Sequence, residues 1–503
     1  MQRRFRPFRI RGDERKIAGQ NIKTQMDKTA YLEHFKVTEE NLRELTGLAL
    51  SKGGDFADLY FEHPVYNELS MRDGQVNSGG SHIDYGMGIR VLKGEKTGYA
   101  YTESTEWEDM RRAALNAAMI ADSPSGTEPG YAYSDGLLKN RIPGKHYWSV
   151  ARIEEYGAAK RLPLLKRLGD RVAESDGRVI KVQAKIADSF SMIMMYNSID
   201  GLSFDSRPLT SVTAAGIFKD GAGNTETNSA SRSFRMGFDL LSAKLIDEVA
   251  ADVTKGIDER FAAIRPKGGE MPVVMGAGGS GILLHEAIGH AFEADFIRKK
   301  QSVFSEQFGK TVCDPSISVV DDGTLAYNRG SVNVDDEGVP GQKTYMVRSG
   351  KLESFLHDRI SAAHFKTAPT GNGRRESFRF PPIPRMRSTY MENGNCSPED
   401  IIAEVRHGIY VDDFSNGQVK IGEGDFTFYV KNGRLIENGK LTAPIKDINI
   451  IGNGPKALSD IVAVGNDLKI DNGTWTCGKE QNCVVTCGIP TVLVRSLTVG
   501  GEA

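Results

Sequence analysis

The sequence predicts an α+β protein in which an N-terminal domain of helices packed on antiparallel sheet precedes a β-rich C-terminal domain carrying one chemically distinctive helix. Three observations predict it. In the first half, segments with apolar residues at helical spacing are interleaved with segments that alternate apolar and polar residues around turn dipeptides such as Asp73-Gly74 and Lys93-Gly94. In the second half, short alternating segments bounded by Gly, Asn and Asp predominate, as in "FYVKNGRLIENGKLTAPIKDINIIGNG". Between them lies a strand, glycine-rich turn and helix, "MPVVMGAGGSGILLHEAIGHAFEADF".

Taken in order, the chain of 503 residues opens on a basic stretch, "MQRRFRPFRIRGDERK". It contains a twin-arginine pair, but polar residues follow where an export signal needs an apolar region, so residues 1–37 read as a disordered extension. "TEENLRELTGLALSKG" has a Thr cap and ends at Gly53 and Gly54, predicting a helix. Two antiparallel strand pairs follow, then a helix from Glu106 to about Asp122. "SPSGTEPGYAYSDG" reads as a loop, and an amphipathic helix is expected from about Ser149 to Glu174. More strands and a final helix, "GFDLLSAKLIDEVAADVTKGIDERFAA", complete an expected domain over 38–265, leaving 266–503 for the β-rich domain.

The 64 basic and 66 acidic residues give a net charge of -2, which supplies no general attraction to nucleic acid or anionic membrane. No apolar run reaches the roughly 18 residues of a membrane span. Five cysteines fit no disulfide framework and point to a reducing cytoplasm. Cys483 and Cys487 read as small buried thiols.

The turn "GAGGSG" fits Gly-x-Gly-x-x-Gly, but the acidic residue at a suitable offset, Asp295, lies in a helical pattern rather than at a strand end, which argues against dinucleotide binding. "LLHEAIGH" places His285 and His290 five residues apart with Glu286 beside the first. Imidazoles ligate zinc, and an adjacent carboxylate takes a proton from water. At about 100° per residue, positions five apart differ by about 140°, so a regular helix puts the two histidines on different faces. A π-bulge, or loosening at Gly289, restores a common face. A third ligand is needed, and spacing alone does not choose among His357, His364, His407 and the cysteine cluster.

The stretches "YGMGIRVLKGEKTGYAYT", "LLHEAIGHAFEADF", "VVDDGTLAYNRGSVNVDDEGVP", "PTGNGRRES", "IPRMRSTYM", "IGNGP" and "GNDLKIDNGTWTCGK" together resemble the TldD/PmbA family of metallopeptidases, in its metal-binding TldD-like branch. The resemblance implies a His-Glu-x-x-x-His zinc centre with His285, His290 and Cys477 as ligands, one Zn2+ per chain. It also implies Glu286 as the carboxylate that activates a metal-bound water. It implies hydrolysis of extended or unfolded peptides and a dimer, either of this chain or with a PmbA-like partner. The alternative is a non-catalytic peptide-handling or modulator protein whose metal is structural. "GNGRRES" and "IGNGP" read as turns first and as substrate contacts second; Arg374, Arg375 and Glu376 suit either a peptide terminus or an ion-pair network.

Overall fold

The computed structural model describes residues 28–122, 145–147, 157–420 and 423–501. The basic stretch over 1–16, the expected loop at 123–136 and the start of the helix expected from Ser149 lie outside the described residues. Part of the expected disordered extension is folded. Lys28–His34 form helix α1, and Tyr31, Phe35 and Val37 are buried because they close one end of an apolar cluster.

Helix α2, Glu39–Leu50, starts at the predicted Thr38, whose hydroxyl accepts from the Asn41 amide while the Asn41 side chain returns to the Thr38 amide. Strands β1 (Phe56–Arg72), β2 (Gln75–Ile83), β3 (Gly86–Lys93) and β4 (Lys96–Thr102) lead to α3 (Trp107–Ala121). Helix α4 (Ala158–Glu174) precedes β5 (Val179–Asn197), β6 (Gly201–Lys219) and β7 (Thr225–Phe234). These seven strands make one antiparallel sheet in the order β4-β3-β1-β5-β6-β7, with β2 on the far half of β1. The predicted single closing helix is instead two, α5 (Ala243–Thr254) and α6 (Ile257–Ala262). Ser242 caps the first, and Gly256 at φ 73° breaks the chain between them, a conformation open to glycine.

The period of two along β1 gives its faces different partners. Ala57, Leu59, Phe61, Leu69 and Met71 face the helices in two apolar clusters. On the opposite face, Asp58, Tyr60 and Glu62 meet the second half of the chain. Asp58 pairs with Arg90 Nε at 2.6 Å and with Arg375 at 3.2 Å, and Arg90 reaches Glu337 at 2.7 Å. Glu62 accepts from the Phe378 amide at 3.0 Å. These groups are buried, so each charge needs its partner.

In the second half, β8 (Gly269–Met275) lies between strands 407–420 and 492–499. The sheet continues through 449–453 to 425–437, which pairs back onto 407–420, closing a barrel. The pairing of β8 with 407–420 is parallel, whereas the other pairings that close the barrel are antiparallel. A six-stranded sheet stands beside the barrel, and strands Thr476–Lys479 and Gln481–Val484 form a separate hairpin. Leu284, Ala287 and Ile288 of the histidine-bearing helix pack with barrel residues Val273, Val411, Phe414 and Phe428 in the largest core.

Burial, reinforced by Asp336, raises the Glu62 carboxyl to about 7 against the opposing effects of the Phe378 amide, Arg207 and Arg375. A folded-state pKa above the ordinary 4.5 means that the native state holds its proton more tightly. The stability this contributes is present below about pH 4.5 and is lost as pH rises to about 7. Urea midpoints measured from pH 4 to 8 are therefore expected to fall less steeply for Glu62→Gln than for the parent chain; parallel profiles would exclude Glu62 as a source of the slope.

Candidate metal centre

The extra residue between the histidines is accommodated in the backbone. Leu284–Ile288 form a π-turn, and the Gly289 amide bonds to the carbonyls of His285 and Leu284, the second five residues back. A tighter turn, Gly289–Phe292, follows and ends at Glu293, whose extended backbone separates it from helix Ala294–Arg298. The imidazoles of His285 and His290 thereby come together, with ring centroids 5.1 Å apart and planes at 82°. Gly289 has no room for a side chain, since a Cβ there would lie 2.1 Å from Met386 Sδ.

Cys477 arrives from the hairpin. Its Sγ is 3.2 Å from His290 Nε2, and one donor atom from each of His285, His290 and Cys477 lies within 4.8 Å of the others. All three residues are buried, and neither ring nitrogen of His285 has a hydrogen-bond partner. Buried imidazole nitrogens ordinarily find one, so an orphaned His285 ring beside a thiol and a second imidazole fits a cation held by one donor from each. Burial opposes ionisation of Cys477, but His285 and His290 outweigh it and bring the thiol down to about 4. Burial likewise opposes protonation of His290, and Glu293 with Cys477 overcomes it, raising the imidazole to about 10. The centre thus favours thiolate, the form in which sulfur ligates metals.

Glu286 is half-buried, with Oε2 3.8 Å from His290 Nε2. The other sequence candidates are elsewhere. His357 packs against Phe355 and Phe365, and burial lowers it to about 4. His364 pairs with Glu95, and His407 is exposed. Cys483 faces Cys477 across the hairpin, 3.6 Å from Arg385 Nη1, and Cys487 is buried in strand Thr486–Ile489. Among the described residues, His285, His290 and Cys477 alone form such a group.

Residues that the sequence reading did not single out hold the centre. Glu293 Oε2 is 2.9 Å from His290 Nδ1 and 3.0 Å from Lys479 Nζ, and Lys479 also reaches Asp295 at 2.8 Å. Arg385 donates to the Cys477 carbonyl at 2.8 Å and lies 3.7 Å from Glu293. A carboxylate three residues beyond His290 and a lysine two beyond Cys477 were the available signals. The fully buried Glu293 orients the ring and connects both donor-bearing segments.

The glycine-rich stretches serve packing. In "GAGGSG", Cβ atoms at Gly279 and Gly281 would lie 2.3 Å from Asp413 Oδ1 and 2.6 Å from the Gly488 backbone. In "IGNGP", Asn453 caps helix Gly454–Ser459, and a Cβ on Gly454 would lie 1.9 Å from the Ala287 carbonyl in the π-turn. Arg374 and Arg375 are buried and bond within the fold, and Glu376 accepts from the Asn482 amide at 2.7 Å.

A π-turn presenting two imidazoles to a thiolate, inside a barrel braced by a helix-covered sheet, defines a metal-binding α+β protein. The chain belongs to the PmbA/TldD family of metallopeptidases. The C-terminal domain of the PmbA/TldA metallopeptidases matches residues 268–501, and their domain 1 matches 57–121. The metalloprotease TldD homolog of Buchnera aphidicola from Acyrthosiphon pisum is 35% identical over 454 residues, 89% of this chain and 93% of that protein. The Haemophilus influenzae homolog is also 35% identical over 454 residues, with the same coverages. The structure of TldE from Thermococcus kodakarensis superposes with a TM-score of 0.69 at 19% identity, covering 92% of this chain and 100% of that one. A Thermotoga maritima structure described as a candidate modulator of a DNA gyrase gives 0.70 at 22% identity, with the same coverages. Family membership supports a peptidase that uses a metal ion. Among the described residues, no helix is long and apolar enough to cross a membrane.

Gly454→Ala is expected to displace the π-turn and cost about 1–3 kcal/mol in denaturant unfolding. Gly478→Ala, whose Cβ would meet nothing closer than 3.5 Å, serves as the control and is expected to stay within about 0.5 kcal/mol of the parent.

Proposed function

We propose that this protein is a zinc-dependent peptidase acting on extended or unfolded peptides, with one zinc per chain held by His285, His290 and Cys477. The observation that carries the reading is the convergence of the His285 imidazole, which has no hydrogen-bond partner, with the His290 imidazole and the Cys477 thiol, the Glu286 carboxylate lying beside them. Zinc supplies Lewis acidity that polarises a peptide carbonyl and acidifies water. Glu286 accepts the proton of the attacking water and returns it to the leaving amine. Glu293 keeps Nδ1 of His290 engaged, so that Nε2 is the nitrogen presented to the centre.

A β-rich domain suits such substrates, because an extended peptide can add to a sheet edge through main-chain hydrogen bonds. Such pairing reads backbone rather than side chains and suits a broad substrate range. The protein works in the cytoplasm as a dimer, with itself or with a PmbA-like chain.

Purified protein is expected to contain about one zinc per chain by elemental analysis. Cys477→Ala is expected to lose it, and Glu293→Gln to weaken zinc affinity about 10- to 100-fold. Glu286→Ala is expected to keep the zinc while cleavage of an unfolded peptide falls about 100-fold or more. Undiminished cleavage by Glu286→Ala excludes the mechanism, and full zinc in Cys477→Ala moves the third ligand elsewhere.

A further inference from the structure

Four buried arginines gather on the far side of the Cys477 hairpin without a carboxylate partner. Arg235 follows β7, Arg329 lies in the loop after residue 328, and Arg374 and Arg387 come from the segments around 373–387. Their exposures are 7%, 5%, 5% and 2%. Arg329 donates to the Ser233 hydroxyl at 2.6 Å, the Trp475 carbonyl at 3.1 Å and the Thr476 hydroxyl at 3.4 Å. Arg374 donates to the carbonyl of Val484, which faces Thr476 across the hairpin, and to that of Met386. Arg235 donates to the Ser331 carbonyl and lies over the Tyr147 ring. Arg387 donates to the Gly371 carbonyl, and its Nη2 is buried with no partner.

Every acceptor named is therefore a neutral carbonyl or hydroxyl, and none of the four makes an ion pair with a described residue. The carboxylates in the vicinity are already engaged. Asp205 accepts from Tyr147 and Asn333, Asp336 from Arg207 and the Arg375 amide, and Asp335 from the amides of Gly373, Glu337 and Val339. Burial first, and then repulsion from Arg235 and Arg374, lowers Arg329 to about 9; burial and Arg374 bring Arg387 to about 9 against the attraction of Asp335 and Asp336, and both stay charged at neutral pH. Grouped like charges out of water are unfavourable, and arginine does not relieve the repulsion by losing a proton.

We propose that Arg235, Arg329, Arg374 and Arg387 bind a carboxylate, borne by a small acid or by the C-terminus of a peptide. The planar guanidinium fork matches a carboxylate in shape and charge, and Arg387 Nη2 is the donor awaiting an acceptor. Thr476 is exposed, so the group reaches solvent at its outer edge. Successive strand residues point to opposite faces, which puts this site on the opposite face of the hairpin from the Cys477 thiol. An anion there braces the strand that carries Cys477 without touching the metal donors. The inference stands apart from the peptidase reading.

The test uses the full chain with Glu286→Gln to stop turnover, so binding is measured whether or not the parent cleaves peptides. By isothermal titration, an N-acetylated pentapeptide with a free C-terminus is expected to bind about tenfold or more tightly than its C-terminal amide, and acetate is expected to compete. Arg387→Met and Arg329→Met are expected to reduce the acid to the level of the amide while leaving the amide unchanged. Equal binding of acid and amide, together with a thermal midpoint no higher in acetate than in chloride, would overturn the site. So would an acid preference that survives in both arginine variants. A midpoint raised by acetate with no acid–amide difference supports the site and assigns it to small free acids. Should the variants fail to fold, the acid–amide and acetate–chloride comparisons on the unaltered arginines decide.

Discussion

The spacing of His285 and His290 is the constraint on which the C-terminal half is organised. Five residues apart, they share a face only if the helix takes up one residue more per turn, and the Leu284–Ile288 π-turn does this. A π-turn is poor helix by itself, so surrounding structure must hold it. Leu284, Ala287 and Ile288 are locked in the barrel core, Met386 fills the space beside Gly289, and Gly454 lets a second helix approach the Ala287 carbonyl. The rule that positions a histidine is in this case a rule about packing.

A chain of buried charge connects the two segments that supply donors. His290 meets Glu293, Glu293 meets Lys479, and Lys479 meets Asp295, so the hairpin bearing Cys477 is tied to the turn bearing the histidines. Arg385 reinforces this from the other side through the Cys477 carbonyl. Burial makes each contact in the chain necessary, because removing one member strands another charge in a medium that solvates it poorly. The same logic governs the contact between the halves, where Asp58 serves both Arg90 and Arg375. The arginines behind the hairpin are the exception to this pairing, and their isolation sets them apart from the structural ion pairs.

Much of the fold was legible in the sequence because it rests on local patterns. Period-two alternation and turn dipeptides mark β1 to β4, Thr38 marks the start of α2, and the strand, glycine turn and helix around residue 280 are visible as such. Errors arose where a local pattern was compatible with more than one backbone. The segment closing the first half has helical spacing throughout, yet Ser242 caps a new helix and Gly256 breaks it. In sequence, residues 28–37 group with the basic and polar stretch before them, but Tyr31, Phe35 and Val37 find an apolar surface made by distant strands. Barrel closure, through strands 407–420 and 425–437, has no local signature.

The sequence by itself determined the donor types and the geometric demand: two histidines one residue too far apart, a carboxylate beside the first, and a family pattern pointing to Cys477. Only the tertiary structure brought that cysteine, 187 residues from His290, to 3.2 Å from its ring. It also decided that Glu293, Lys479 and Arg385 hold the centre and that Arg374 and Arg375 are buried. The physical reason is that ligand chemistry belongs to single residues, whereas distance, burial and the pairing of charge are properties of segments remote in the chain and adjacent only when folded.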